Sequence, residues 1–227
     1  MKRAKKKILI MGLPGSGKTY LARKLVKYLK ADWLNSDTIR GKYNDWDFSN
    51  AGIIRQVTRM KNLANQSKKR FVVADFICPI QKQFQIFKPN IIIWMDTIKI
   101  SRYPRINRIF KKPKKYDVRI TSKNANLWIL AVLDKIIVYK WKKSLQAKIF
   151  GKFRPWQSSH TQLIEKALLK FGQVNIQIKN VGKSKNYPYN FKKIKKKIFK
   201  NFKYFKKRIK VSRIKSEKNN LKWKHSF

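Results

Sequence analysis

Gly12-Leu13-Pro14-Gly15-Ser16-Gly17-Lys18-Thr19 directly follows the apolar run Ile8-Leu9-Ile10-Met11, and no other junction in the chain restricts the fold as much. The octapeptide fits the G-x-x-x-x-G-K-[ST] pattern without a mismatch. Its glycines let the backbone turn tightly and aim successive N–H groups at one anion. Lys18 is long enough to reach terminal phosphates, and Thr19 offers a hydroxyl to Mg²⁺. Beyond the loop, Leu21, Leu25 and Leu29 fall on one face of a helix. The alternative, a glycine-rich turn with an adventitious lysine, leaves both flanks without a reason. The segment predicts a strand, a phosphate loop and a helix, with Gly12, Gly15, Ser16, Gly17, Lys18 and Thr19 holding a nucleoside triphosphate.

Charge bears on partners. The net charge is +48, and only Glu165 and Glu217 among the ten acids lie beyond Lys135. From Lys183 onward, 45 residues carry 18 Lys or Arg, so this tail would attract RNA, DNA or acidic lipid non-specifically through its general field. Compositional bias explains the same numbers, because Lys, Asn, Ile, Phe and Tyr are abundant together and Lys far outnumbers Arg. No C2H2 finger, RNA-binding aromatic pair or GXXG loop accompanies the charge. One cysteine excludes an internal disulfide framework and fits a reducing compartment. The apolar stretch after the basic residues 1–7 is too short for a signal peptide, and no run approaches a membrane span. These features predict a soluble cytoplasmic protein without a membrane span; a homo-oligomer stays open.

Patterning divides the 227 residues into two parts. In the first, residues 1–143, strands are expected at 8–11, 32–35, 71–76 and 91–96, with helices at 19–30, 50–67 and 127–138. Continuous apolar strands closed by an acid are what buried parallel strands look like. Alternation of strand and helix predicts a three-layer α/β domain with reactive groups at the carboxyl ends of its strands. In the second, residues 146–227, a strand at 147–150, a helix at 160–171 ended by Gly172, and alternation at 173–178 and 208–214 predict about one and a half βαβ units. The region 191–210 is rich in Phe, Ile and Lys at helical spacing.

Asp37 follows the second strand, where a carboxylate can hold Mg²⁺-bound water or accept a proton from a substrate hydroxyl; a helix cap or a solvated loop acid is the other reading. Asp75 ends the third strand, a position suited to a carboxylate near Mg²⁺ or, equally, to a turn residue. Arg40, Arg55 and Arg59 offer guanidinium forks to an anionic substrate. Arg102, Arg105 and Arg108 are placed to close over phosphates.

In this order, Gly12–Thr19, Leu34-Asn35-Ser36-Asp37-Thr38-Ile39-Arg40, Phe48-Ser49 and Ala74-Asp75-Phe76-Ile77-Cys78-Pro79 resemble the adenylylsulfate kinase family over roughly residues 6–140. That family moves the γ-phosphate of ATP to the 3′-hydroxyl of adenylyl sulfate with Mg²⁺. The resemblance implies a P-loop nucleotide kinase fold, ATP and Mg²⁺ as cofactors, and a small anionic substrate. It also implies anion binding at Arg40 and a place beside the substrate for Cys78. Read from the residues themselves, Lys18, Asp37 and Asp75 are the candidate catalytic groups, Thr19 and Asp37 the candidate metal contacts, Arg105 and Arg108 candidate ATP contacts, and Arg55 joins Arg40 and Cys78 as a candidate substrate contact. Four departures stand out. Asn35 replaces the first Asp of Asp-Gly-Asp, Cys78 replaces the Ser of Phe-Ile-Ser-Pro, Gln81 takes the place of the following Arg, and Gly52-Ile53 replaces an Asp-Arg pair. A kinase with a divergent substrate site is expected, with activity on adenylyl sulfate restored by Ile53→Arg and Gln81→Arg together.

Gly151-Lys152-Phe153-Arg154-Pro155-Trp156-Gln157-Ser158-Ser159-His160 resembles the opening motif Gly-Arg-Phe-x-Pro-x-His-x-Gly-His of the nucleotidyltransferases. The first His is Gln157 here and the Gly is Ser159; His160 is retained as a phosphate ligand at a helix start or as a residue of the cap. The second part is therefore expected to be a truncated Rossmann-like α/β unit, followed by the basic C-terminal tail. Nucleotidyl transfer by this unit, and ATP binding coupled to nucleic-acid association through the tail, are the alternatives to small-molecule phosphorylation.

Overall fold

The computed structural model describes residues 4–137, 139–153, 155–179 and 190–214. Two compact units emerge, Met1–Ile137 and Val138–Phe227. In the first, five strands, β1 (Lys6–Met11), β2 (Asp32–Asn35), β3 (Phe71–Asp75), β4 (Ile91–Met95) and β5 (Val118–Ile120), form one sheet in the order β2-β3-β1-β4-β5. Every pairing is parallel. Beyond its opening Lys6 and Lys7 the central strand is apolar because both its faces are covered: Ile8, Leu9, Ile10 and Met11 are fully buried.

Helix α1 (Lys18–Leu29) buries Leu21, Ala22 and Leu25 and packs beside α6 (Ala125–Ile136). A second cluster joins Leu9, Met11, Val72, Ala74 and Trp94 of the sheet to Val57, Met60 and Ala64 of α3 (Asn50–Gln66) and to Phe87 of α4 (Gln81–Phe87). Helix, sheet and helix make three layers. The sheet order places the ends of β1, β2 and β3 side by side, so residues 12, 35 and 75 face a common rim.

Several short elements escape the sequence patterns: α2 (Ser36–Lys42), α4, α5 (Pro104–Ile109) and the three-residue β5. The first unit ends at Ile137 rather than at residue 143, because residues 139–142 are tied to the second unit. Tyr139 Oη and Lys142 N donate to Gln173 Oε1, and the Arg208 guanidinium lies over the Tyr139 ring.

The second unit holds β6 (Ala147–Gly151), α7 (Ser158–Phe171), β7 (Val174–Lys179), α8 (Phe191–Asn201) and β8 (Ile209–Ile214). Its strands pair in parallel in the order β6-β7-β8. This is two full βαβ crossovers, not the one and a half expected. The helical pattern at 191–210 breaks at Asn201 and gives way to a short 3₁₀ turn, Lys203–Phe205, before the last strand. Arg154 and the tail positions 183–189 and 215–227 lie outside the described residues.

Candidate active site

The loop between β1 and α1 is built around positions that exclude side chains. Gly12 has φ +147°, and a Cβ there would stand 2.4 Å from the Met95 carbonyl oxygen at the end of β4. Gly17 has φ +88°, and a Cβ there would meet the Trp128 ring of α6 at 2.6 Å. Gly15 also has positive φ, but a Cβ there would make only an ordinary contact with Ile98 Cδ1, at 3.7 Å. Ser16 N donates to Leu13 O at 3.1 Å, and Thr97 Oγ1 donates to Ser16 O at 2.8 Å, so the loop is held from two sides. Ser16 Oγ is buried and finds no hydrogen-bond partner among the described residues. A buried hydroxyl without a partner is costly unless a ligand completes it. The loop thus offers glycine backbone, an orphaned hydroxyl and a lysine to one anion.

Lys18 Nζ donates to Leu13 O at 2.9 Å. Burial lowers its pKa to about 8, against the opposing pull of the Asp75 and Asp37 carboxylates. Asp75, 2% exposed at the end of β3, gathers donors from three sides. Thr19 Oγ1 reaches Oδ2 at 2.8 Å, Trp33 Nε1 reaches Oδ1 at 2.8 Å, and Asn35 Nδ2 lies 3.0 Å from Oδ2. Burial pushes the Asp75 carboxyl above its ordinary value, and these hydrogen bonds oppose that push. Asp37 is exposed in the first turn of α2, whose start is fixed by Asn35 Oδ1 accepting from Thr38 N at 2.9 Å.

A hydroxyl and a carboxylate oxygen 2.8 Å apart at the foot of a phosphate loop are hard oxygen donors suited to Mg²⁺, which takes one or two protein ligands and completes its shell with phosphates and water. Among the described residues no group of three or more His, Cys, Asp or Glu could hold a metal on its own. The donor set fits Mg²⁺ carried in with a nucleotide. Thr19 and Asp75, both read from sequence as candidates near Mg²⁺, stand together here, whereas Asp37 is exposed in the first turn of α2.

The residues expected at the substrate divide differently. Arg40 is 4% exposed, and its Nη1 donates to the carbonyls of Asp45 and Asp47 at 2.8 and 2.9 Å while its guanidinium stacks on Phe48. It therefore folds the segment 43–49 instead of projecting a free fork. Arg55 is half exposed and grips Asp45 with two hydrogen bonds of 2.8 and 2.9 Å, and Asp47 at 3.1 Å. Arg59 adds a third guanidinium on Asp45 at 3.0 Å. Cys78 is fully buried beside Phe76 and Phe87, which pushes its thiol well above the usual range and encloses it. Arg105 donates to the Phe48 carbonyl at 3.3 Å, and Arg108 is exposed on the same short helix. Neither is hydrogen-bonded to the phosphate loop among the described residues.

Sequence reasoning passed over Asp45, Asp47 and Trp33. The first two sit in a loop with no motif of their own. Trp33 was readable only as a strand residue, although its two-residue spacing from Asn35 puts both on one face of β2.

In the second unit, His160 lies in the first turn of α7, and its Nδ1 accepts from Gln157 N at 3.0 Å. Its ring leans on Phe153 and Trp156, and burial lowers its pKa. One ring nitrogen is thus spent on the helix start. A cavity of ≈ 140 Å³ beside it is lined by Phe153, Pro155, Trp156, Ile194 and Lys197.

A protein-family model described as an AAA domain matches residues 8–79. The APS kinase CysC of Mycobacterium tuberculosis, solved with AMPPNP and APS, is similar at 19% identity and a TM-score of 0.51, over 59% of this chain and 98% of that one. A protein named APE1195 is similar at 16% identity and a TM-score of 0.50, over 60% of this chain and 98% of that one. No curated protein matches the chain. The first unit has the P-loop kinase fold. Among the described residues no helix is long and apolar enough to cross a membrane.

Proposed function

We propose that the chain is an ATP-dependent small-molecule kinase that transfers the γ-phosphate to a hydroxyl of an anionic, adenylylated substrate. The contact between Thr19 and Asp75, 2.8 Å long and set under a glycine cradle with its own buried lysine, carries this reading. Mg²⁺ held by Thr19 and Asp75 would neutralise phosphate charge. Lys18 gives up its bond to Leu13 O and turns its ammonium to the phosphates. The glycine N–H groups and Ser16 Oγ orient the chain of phosphates. Asp37, exposed in the first turn of α2 and close enough to Lys18 to perturb it, accepts the proton of the acceptor hydroxyl as its oxygen attacks Pγ. The bond from Pγ to the β–γ bridging oxygen breaks, and ADP leaves.

Similarity to a kinase solved with APS supports an adenylylated acceptor. Buried Ile53, enclosed Cys78 and the backbone-bound Arg40 support a substrate pocket that differs from that family's pattern. Two measurements decide the matter: MgATP titration of the wild type and Lys18→Ala, and a labelled γ-phosphate transfer screen over adenylyl sulfate, nucleosides, nucleotides and polyols. Binding lost in Lys18→Ala, with Asp37→Asn sparing affinity more than turnover, is the expected result. No binding by the wild type at millimolar MgATP ends the proposal.

A second reading concerns α8, where Ile194 and Ile198 are buried while Lys192, Lys193, Lys195, Lys196, Lys197 and Lys200 are all exposed. Such a face suits the phosphates of a nucleic acid, bound non-specifically.

A further inference from the structure

The carboxylate of Asp75 accepts hydrogen bonds from three side chains, Thr19, Trp33 and Asn35. The β2–β3 register sets Asn35 directly beside Asp75, and Trp33, two residues earlier, lies on the same face of β2. From that face Trp33 Nε1 donates to Oδ1 at 2.8 Å, and Asn35 Nδ2 contacts both oxygens, at 3.2 and 3.0 Å. Thr19 Oγ1 supplies the remaining donor.

These donors are not equivalent. A hydroxyl both donates and accepts, so Thr19 can release Asp75 and turn a lone pair toward an arriving cation. An indole N–H only donates, and the Asn35 carboxamide is fixed at its other end. Asn35 Oδ1 accepts from Thr38 N and Thr38 Oγ1, each at 2.9 Å, which leaves the amide nitrogen pointing at Asp75. An aspartate at position 35 would cap α2 equally well. It would also bring one carboxylate against another at hydrogen-bonding distance, where like charges repel strongly in a partly buried setting. The carboxamide therefore does two jobs that a carboxylate cannot combine.

We propose that Trp33 and Asn35 are positioning residues that hold Asp75 in place while Thr19 turns to the metal, so that the site's preference for metal-bound over metal-free nucleotide depends on two neutral donors from β2. This rests on the kinase reading above. Asn35 is then not a lost metal ligand but the residue that orients the remaining one.

Calorimetric titration of ADP, once with MgCl₂ and once with EDTA, tests it without any turnover. Trp33→Phe keeps the aromatic ring and deletes the donor; Asn35→Asp keeps the helix cap and deletes the other. The ratio of MgADP to metal-free ADP affinity is expected to fall about tenfold in each variant, the worth of one hydrogen bond to a charged group, while metal-free ADP affinity stays within about twofold. Thermal melting checks that each variant is folded; if one is not, the other still decides. An unchanged ratio overturns the proposal, as does an equal loss for both forms of ADP, which is what a merely structural role would give. Tighter MgADP binding by Asn35→Asp overturns it for Asn35, since position 35 would then be a metal ligand. A wild type that binds ADP in neither form sinks the kinase reading itself, and this inference with it.

Discussion

Lys18 Nζ is bonded to the carbonyl of Leu13, 2.9 Å away within its own loop, so the phosphate lysine rests on its cradle until an anion replaces that oxygen. Because burial lowers its pKa to about 8, the ammonium needed for phosphate is lost as pH rises through that value. ADP affinity should therefore fall between pH 7 and pH 9, and Lys18→Met should bind weakly with no such dependence. The stability effect has the opposite sense. A lysine whose folded pKa lies below its unfolded value destabilises the fold while charged in both states, and the penalty lifts as pH rises from about 8 toward 10.5. Lys18→Met should melt above the wild type at pH 7, with the difference shrinking above pH 8. A difference that does not change with pH would show that the lysine is not desolvated.

Gly12 and Gly15 both have positive φ, yet they should not respond alike to alanine. At Gly12 the new methyl would collide with the Met95 backbone, which cannot swing aside, so Gly12→Ala should cost roughly 3 kcal/mol or more and abolish nucleotide binding. At Gly15 the nearest atom is Ile98 Cδ1 at 3.7 Å, leaving only conformational strain of about 1 kcal/mol. Chemical denaturation of the two variants compares them directly, and equal losses would refute the packing argument.

Ile53→Arg is not a simple restoration of substrate contact. Ile53 is 7% exposed, with its side chain among the buried residues of α3. A guanidinium forced into this position should destabilise the unit by at least about 3 kcal/mol. Gln81 begins α4 and is exposed, so Gln81→Arg should be tolerated. Any gain on adenylyl sulfate should come from Gln81→Arg alone, and the double variant should show a lower melting temperature and less turnover. A folded double variant with more than tenfold higher turnover would restore the simpler expectation.

Removing residues 183–227 would delete α8 and β8 together and so dismantle the three-stranded sheet. Lys192, Lys196 and Lys200 changed to Glu test the basic face without that damage. Affinity for a single-stranded RNA oligonucleotide should drop, and its salt dependence should flatten by about two in the log–log slope. An unchanged slope would place RNA binding on another surface.

The legible parts of the fold were those whose physics is local. β1, β3 and β4 are apolar runs because a central parallel strand is buried on both faces, and α1 shows its buried stripe at Leu21 and Leu25. β5 has only three residues, one of them the ion-paired Arg119, and no periodicity can reveal it. The loop residues from Gly12 to Thr19 were readable because backbone geometry demands them in that order. Arg40 was not, since its partners are main-chain carbonyls whose positions no sequence encodes. Asp75 was visible as a strand-end acid, whereas the three donors converging on it required the pairing of β2 with β3.

The sheet order has a consequence for how the chain comes into being. Ile8 pairs with Val73 on one side and Ile91 on the other, and Gly12 is packed against Met95. The phosphate loop is thus translated before the strand that walls it, residues 91–95. Until residues 91–95 arrive, β1 is an apolar ribbon with one unclaimed edge, a state that favours slow, non-local folding and association with other chains. A fragment ending at residue 79 should accumulate as aggregate and not as a small nucleotide-binding domain. A nascent chain able to retain ADP has, by that fact, already been translated through β4.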